Sequence, residues 1–151
     1  MRTRLLSARF RTPKLFMKNP KQQSERWLKQ AGYDLKEAEK CLKDGSYAYA
    51  CFFAEQSAQK SLKSFLIYRG IRFINIHSVG ELLKEASRLD NSFLSLIELG
   101  QKLDRHYLAS RYPDALPEPA IPFESYGELE AKEAIETAQK IFQKVNSLIA
   151  T

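Results

Sequence analysis

With 151 residues, 44% of them hydrophobic and 28% charged, and only six Gly and six Pro, the chain has the size and balance of one globular domain with a real core. That excludes fibrous and disordered classes, and no apolar run approaches the ~20 residues of a membrane span. The net charge is +6, from 24 bases and 18 acids, and Arg2, Arg4, Arg9, Arg11, Lys14 and Lys18 stand in residues 1–18 without a single acid. The basic excess therefore belongs to the N-terminal segment, and the remainder is electrically balanced.

Residues 1–20 read as a basic arm with no helical period, and arginines interrupt Leu5, Leu6 and Phe10, so the apolar stretch of a secretory signal is missing. The arm is expected to be disordered, or to be an upstream extension of a chain that starts at Met17; an RNA-binding tail is a third reading. Residues 21–151 are expected to form a single domain. Cys41 and Cys51 stand at no metal-ligand or disulfide-framework spacing and read as buried thiols of a reducing cytoplasm.

From Ser24 to Asp44, the three-four spacing of Trp27, Ala31, Leu35, Ala38 and Leu42 predicts a helix with one apolar stripe, stopped by Asp44-Gly45. Ser46 can cap a second helix, with Ala48, Cys51, Phe52, Ala58, Leu62, Phe65 and Leu66 inward and Gly70 as its break. So short a turn makes the two antiparallel. Residues 71–76 read as a loop. A short helix follows from Ser78 to Arg88, and Phe93, Leu96, Ile97, Leu103 and Tyr107 mark a fourth. Pro113, Pro117, Pro119 and Pro122 then impose an extended connector, and Ala131, Ala134, Ala138, Ile141, Val145 and Leu148 define a last helix from about Tyr126 to Ile149. The expected architecture is all-α, an up-and-down bundle of four long helices and one short one.

Several short motifs sit on these elements in a telling order. Ala31, Asp34, Leu35 and Ala38 spell A-x-x-D-L-x-x-A, and residues 54–66, AEQSAQKSLKSFL, are rich in Gln and Ala with two lysines. His77-Ser78-Val79 precedes Leu82-Leu83, Leu103-Asp104 precedes Tyr107, and Arg111-Tyr112-Pro113-Asp114 opens the connector. Together they resemble the HEPN domain family, small helical domains of prokaryotes and higher eukaryotes associated with nucleotide binding and often encoded beside minimal nucleotidyltransferases. The resemblance covers residues 25–150. It implies a homodimer that binds nucleotide or RNA and acts with a minimal nucleotidyltransferase partner in a toxin-antitoxin-like system, with no cofactor, metal or membrane. Family members commonly carry Glu where this chain has Gln59, so an ion pair at that position is not carried over.

Some members of the wider superfamily are metal-independent ribonucleases that use R-x4-6-H, and Arg72 to His77 fits with four intervening residues. Imidazole can move a ribose 2′-OH proton while guanidinium holds the developing phosphorane charge. As the catalytic pair of an alternative ribonuclease reading, Arg72 and His77 stand against a plainer one, in which His77 simply starts the third helix. Lys60, Lys63, Arg111 and Tyr112 are the candidate nucleotide- and phosphate-binding residues, with Tyr112 or Tyr107 stacking on a base. Their plainer readings are a solvated lysine face, an ion pair of Arg111 with Asp104 or Asp114, and packing of Tyr112. Glu55 falls beside the apolar stripe and needs a partner, Asp34 is placed to meet Lys60 or Lys63, and His106 reads as a surface residue. No Gly-rich phosphate loop, nucleophile elbow or Cys/His metal set is present in the sequence. A non-catalytic adaptor bundle is the third class. The nine Phe and seven Tyr, more than a small core hides, point to an interface between copies.

Overall fold

The computed structural model describes residues 19–150. The N-terminal arm, with its disordered or misassigned-start reading, lies outside the described residues except for its last two positions. Asn19 is extended (φ −154°) and its Oδ1 accepts from the Gln22 amide at 3.1 Å, with Pro20 in the first turn, so cap and proline together start α1 (Pro20–Lys43). Gly45 takes φ +77° where the chain reverses, and the Ser46 amide returns to the Cys41 carbonyl at 2.8 Å. Only a left-handed glycine closes so tight a turn cheaply. It sends α2 (Tyr47–Tyr68) back antiparallel along α1.

α2 is the central element. Its buried residues occupy most of its circumference, from Ala48 and Ala50 to Leu66 and Ile67, because α1, α3 and the last helix all pack on it. Small residues let α1 approach closely: Ser57 Oγ donates to the Ala31 carbonyl at 2.8 Å and Ser64 Oγ to the Ser24 carbonyl at 2.6 Å. Gly70 (φ +93°) ends the helix, and the loop expected at 71–76 runs on to Ser78.

α3 (Val79–Leu89) is capped by Ser78, whose side chain accepts from the Glu81 amide. The fourth segment is divided: a 3-10 stretch at Asn91–Leu96, then α4 (Ile97–Asp104) and a single turn, α5 (His106–Ala109). The division follows from spacing, since Phe93 and Leu96 are three apart and share a side in a 3-10 turn, where both are buried. The connector holds a 3-10 turn at Pro113–Ala115 and one helical turn, α6 (Pro122–Ser125), before α7 (Glu128–Ala150), which crosses α2 and α1. Leu62, Phe65, Leu66, Leu82, Leu83, Phe93, Ile141 and Val145 form the core, with the Phe65 and Phe93 rings 4.8 Å apart. The chain is an all-α bundle with no strand among the described residues, and no described helix is long and apolar enough to cross a membrane.

One stripe is rotated from its expected position. Leu28, not Trp27, joins Ser24, Ala31, Leu35 and Ala38 in the α1 core, and Trp27 is 37% exposed. Both registers satisfy a three-four period, and Leu28 prevails because the small Ser24 side sits against α2.

Candidate functional site

On α2, Glu55, Gln59 and Lys63 recur every fourth residue, which stacks them on one face. All three are buried. The Glu55 carboxylate accepts from Gln56 Nε2 at 2.8 Å and from Gln59 Nε2 at 2.9 Å. Because that carboxylate fixes which end of the Gln59 amide faces it, Oε1 points the other way and accepts from Lys63 Nζ at 2.9 Å. His77, brought back by the loop, sets its Nδ1 3.3 Å from both Lys63 Nζ and Gln59 Oε1. A buried polar ladder thus runs from Glu55 to an exposed imidazole. Gln59, where the resemblance implies a Glu, is an amide that passes hydrogen bonds in both directions without adding charge.

Burial pushes the Glu55 carboxyl up to about 7, against the pull of its two glutamine donors. Burial also lowers the Lys63 ammonium, offset in part by the charge of Glu55. At this exposed end of the ladder, its mouth, an oxyanion would meet the Lys63 ammonium and the His77 ring together. The arrangement is suited to holding phosphate oxygens.

Asp104 steadies the mouth from the far side. Its carboxylate accepts from Ser78 Oγ at 2.7 Å and from the Val79 and Gly80 amides at 2.6 and 3.1 Å, so it closes the N-terminus of α3 directly after His77. Asp104 is therefore not the ion-pair partner of Arg111. Arg111 donates twice to the Tyr107 carbonyl, at 2.8 and 3.1 Å, and lies over the rings of Phe52, Tyr107 and Tyr112 at 4.2, 5.2 and 5.0 Å. Tyr112 itself is exposed. Arg111 borders a separate cleft of about 420 Å³ with Tyr47, Tyr49 and Phe123. Of the sequence candidates, Lys63 and His77 meet at the mouth, while Arg111 lies at this cleft with the Tyr112 ring beside it.

Lys60 bonds Asp34 at 2.5 Å, the structural pair expected between the first two helices, and Gln30 donates to the same carboxylate at 3.0 Å. Arg72 lies partly buried near the start of the loop that His77 ends. The expectation that His106 is a surface residue fails. Its ring is buried, Nδ1 lies 3.2 Å from the Tyr126 hydroxyl, and burial lowers it to about 4. The reason is that α5 turns it inward under α7 and the connector. Cys51 is buried and its thiol is pushed up to about 12 by burial, so it is inert; Cys41 is partly buried and also free. Among the described residues no group of three His, Cys, Asp or Glu is placed to hold a metal ion. Sequence reasoning missed the joining role of Gln59 and the cap made by Asp104. The i, i+4, i+8 spacing of Glu55, Gln59 and Lys63 was the available signal for the first.

The HEPN domain family model matches residues 24–148. The chain is 26% identical over 131 residues to a candidate toxin of Methanocaldococcus jannaschii, spanning 82% of this chain and 86% of that protein. Among solved structures, the Thermus thermophilus protein TT1696 superposes with a TM-score of 0.77 at 37% identity, over 83% of this chain and 97% of that one. An archaeal HEPN homologue gives 0.69 at 37% identity over the same shares. A HEPN domain protein of Thermotoga maritima gives 0.65 at 28%, over 83% and 98%.

Proposed function

The chain belongs to the HEPN family, and from that premise we propose that it is a toxin-like protein that binds RNA or a nucleotide by its phosphates at the Lys63–His77 mouth. It acts as a cytoplasmic homodimer restrained by a minimal nucleotidyltransferase partner. The observation that carries the reading is the exposed His77 ring held against the Lys63 ammonium by the buried Glu55–Gln59 ladder. Building a buried carboxylate and ammonium into a small bundle costs stability, and that cost is unexplained if the mouth is only a helix start. The similarity to a candidate toxin supports the toxin-like half. Tyr112 beside Arg111 offers a further stacking face for a base, and the exposed Tyr49, Phe123 and Leu129 offer surface for a second copy.

A second reading has a specific observation in its favour. Among the described residues, both polar contacts of the His77 ring run through Nδ1, and Nε2 is the nitrogen that would face a ligand. In the tautomer that donates from Nδ1 to Gln59 Oε1, Nε2 is a base able to take a ribose 2′-OH proton, with Arg72 of the same loop stabilising the phosphorane-like charge. That is a metal-independent ribonuclease.

One experiment separates the two. RNA is incubated in EDTA with wild type, His77→Ala and Arg72→Ala proteins of verified fold, and binding of ATP and a short RNA is followed by calorimetry. Cleavage abolished by both substitutions establishes the ribonuclease. Binding without cleavage, weakened by His77→Ala and by Lys63→Gln, establishes the binding module. Neither binding nor cleavage overturns both and leaves a ligand-free adaptor.

A further inference from the structure

We propose that the groove on the outer face of α1 is a track for single-stranded RNA leading to the Lys63–His77 mouth, with Trp27 and Tyr33 as its base-stacking surfaces. The inference rests on the mouth being the ligand site and adds the class of ligand and its path. The groove has a volume of about 670 Å³ and is lined by Arg26, Trp27, Lys29, Tyr33 and Lys60 with two glutamines, and among the described residues no carboxylate lines it. Trp27 is 37% exposed and Tyr33 59% exposed. Lys60 is committed to Asp34, so the charge available to phosphates comes from Arg26 and Lys29.

Continuity with the mouth is direct. Lys63 Nζ lies 5.8 Å from the centroid of the Trp27 ring and 3.3 Å from His77 Nδ1, so one ammonium touches both groove and mouth. Tyr33 follows Trp27 by six positions, a rise of about 9 Å along a helix. That accommodates two or three bases stacked at roughly 3.4 Å. Exposed aromatics interleaved with cations are the physical requirement for holding an unpaired strand, because every base has a face to stack and every linkage a charge to neutralise. A duplex hides those faces.

Trp27 is the only tryptophan, so its fluorescence reports on the groove and on the Lys63 end that the groove shares with the mouth. The full chain is titrated with a ten-nucleotide single-stranded RNA, with the same sequence as a duplex, and with a mononucleotide, while anisotropy of a fluorescein-labelled copy of the single strand reports binding anywhere on the protein. The expected result is quenching of Trp27 by the single strand and little by the duplex. Tyr33→Leu weakens binding at least about fivefold, and Lys29→Gln lowers the slope of log affinity against log salt by about 0.7. His77→Ala lowers the affinity read by anisotropy, yet the single strand at saturation still quenches Trp27, which separates the track from the mouth. RNA that binds by anisotropy while Trp27 stays silent overturns the track and leaves the mouth standing. No binding by either readout overturns both. A Trp27 spectrum that shifts with protein concentration instead of RNA assigns the groove to a second copy and also overturns the proposal.

Discussion

Glu55 and His106 are both buried, and their ionisations oppose each other. Folding raises the Glu55 carboxyl from 4.5 to about 7, so the folded protein holds a proton that the unfolded chain has released. Its contribution to stability is complete below about pH 4.5 and is lost as pH rises through 7. Folding lowers His106 from 6.5 to about 4, so the unfolded chain binds the proton first, and stability is lost as pH falls from 6.5 through 4. Each effect amounts to about 3 kcal/mol at its limit. Over the shared window they cancel in large part. Urea unfolding between pH 4.5 and 7 is expected to show that Glu55→Gln makes stability rise with pH relative to wild type, and that His106→Gln makes it fall. Equal slopes in all three proteins would contradict the assignment. The burial of Glu55 was legible, because it falls beside the apolar stripe of its helix, whereas that of His106 was not, since it followed an apparently continuous helix whose break turns it inward.

At the scale of elements, the junction of α3 and α4 is what positions the mouth. A Cβ on Gly100 would lie 2.3 Å from Leu83 Cδ1, and one on Gly80 would lie 2.8 Å from Gln101 Cγ, so these two helices touch through their glycines. Gly100→Ala should destabilise by about 1–3 kcal/mol through overpacking, measured by urea unfolding. Asp104→Ala removes three hydrogen bonds from the start of α3. It should cost about 1–3 kcal/mol, and it should weaken ligand binding at the mouth in protein that is still folded, because Ser78 adjoins His77. Binding unchanged in folded Asp104→Ala would show that the cap is structural only. The two long antiparallel helices, the loop at 71–76 and the last helix were legible because glycine, proline and a sustained apolar period marked their bounds. The fourth segment was not, since a three-residue apolar spacing fits a 3-10 turn as well as an α-helix. Trp27 was misplaced for a similar reason: it and Leu28 both continue the period, and only the close approach of Ser24 and Ser64 selects between them.

For the whole molecule, the family and bundle were recoverable because short motifs kept their order along the chain, whereas the last rung of the ladder depends on a loop bringing His77 back onto α2, which no local spacing announces. If the exposed aromatic surface pairs two copies, light scattering should give about twice the mass of one chain, and Phe123→Ser should shift the population toward monomer; a single-chain mass in wild type contradicts the dimer. The most direct test of the central claim, that the Lys63–His77 mouth receives the ligand, uses the fact that the chain has only two histidines. Their imidazole resonances are followed by NMR while a short single-stranded RNA is added. The account predicts that the His77 signals move in a saturable way and those of buried His106 stay in place. A saturating ligand that leaves His77 unmoved would contradict it.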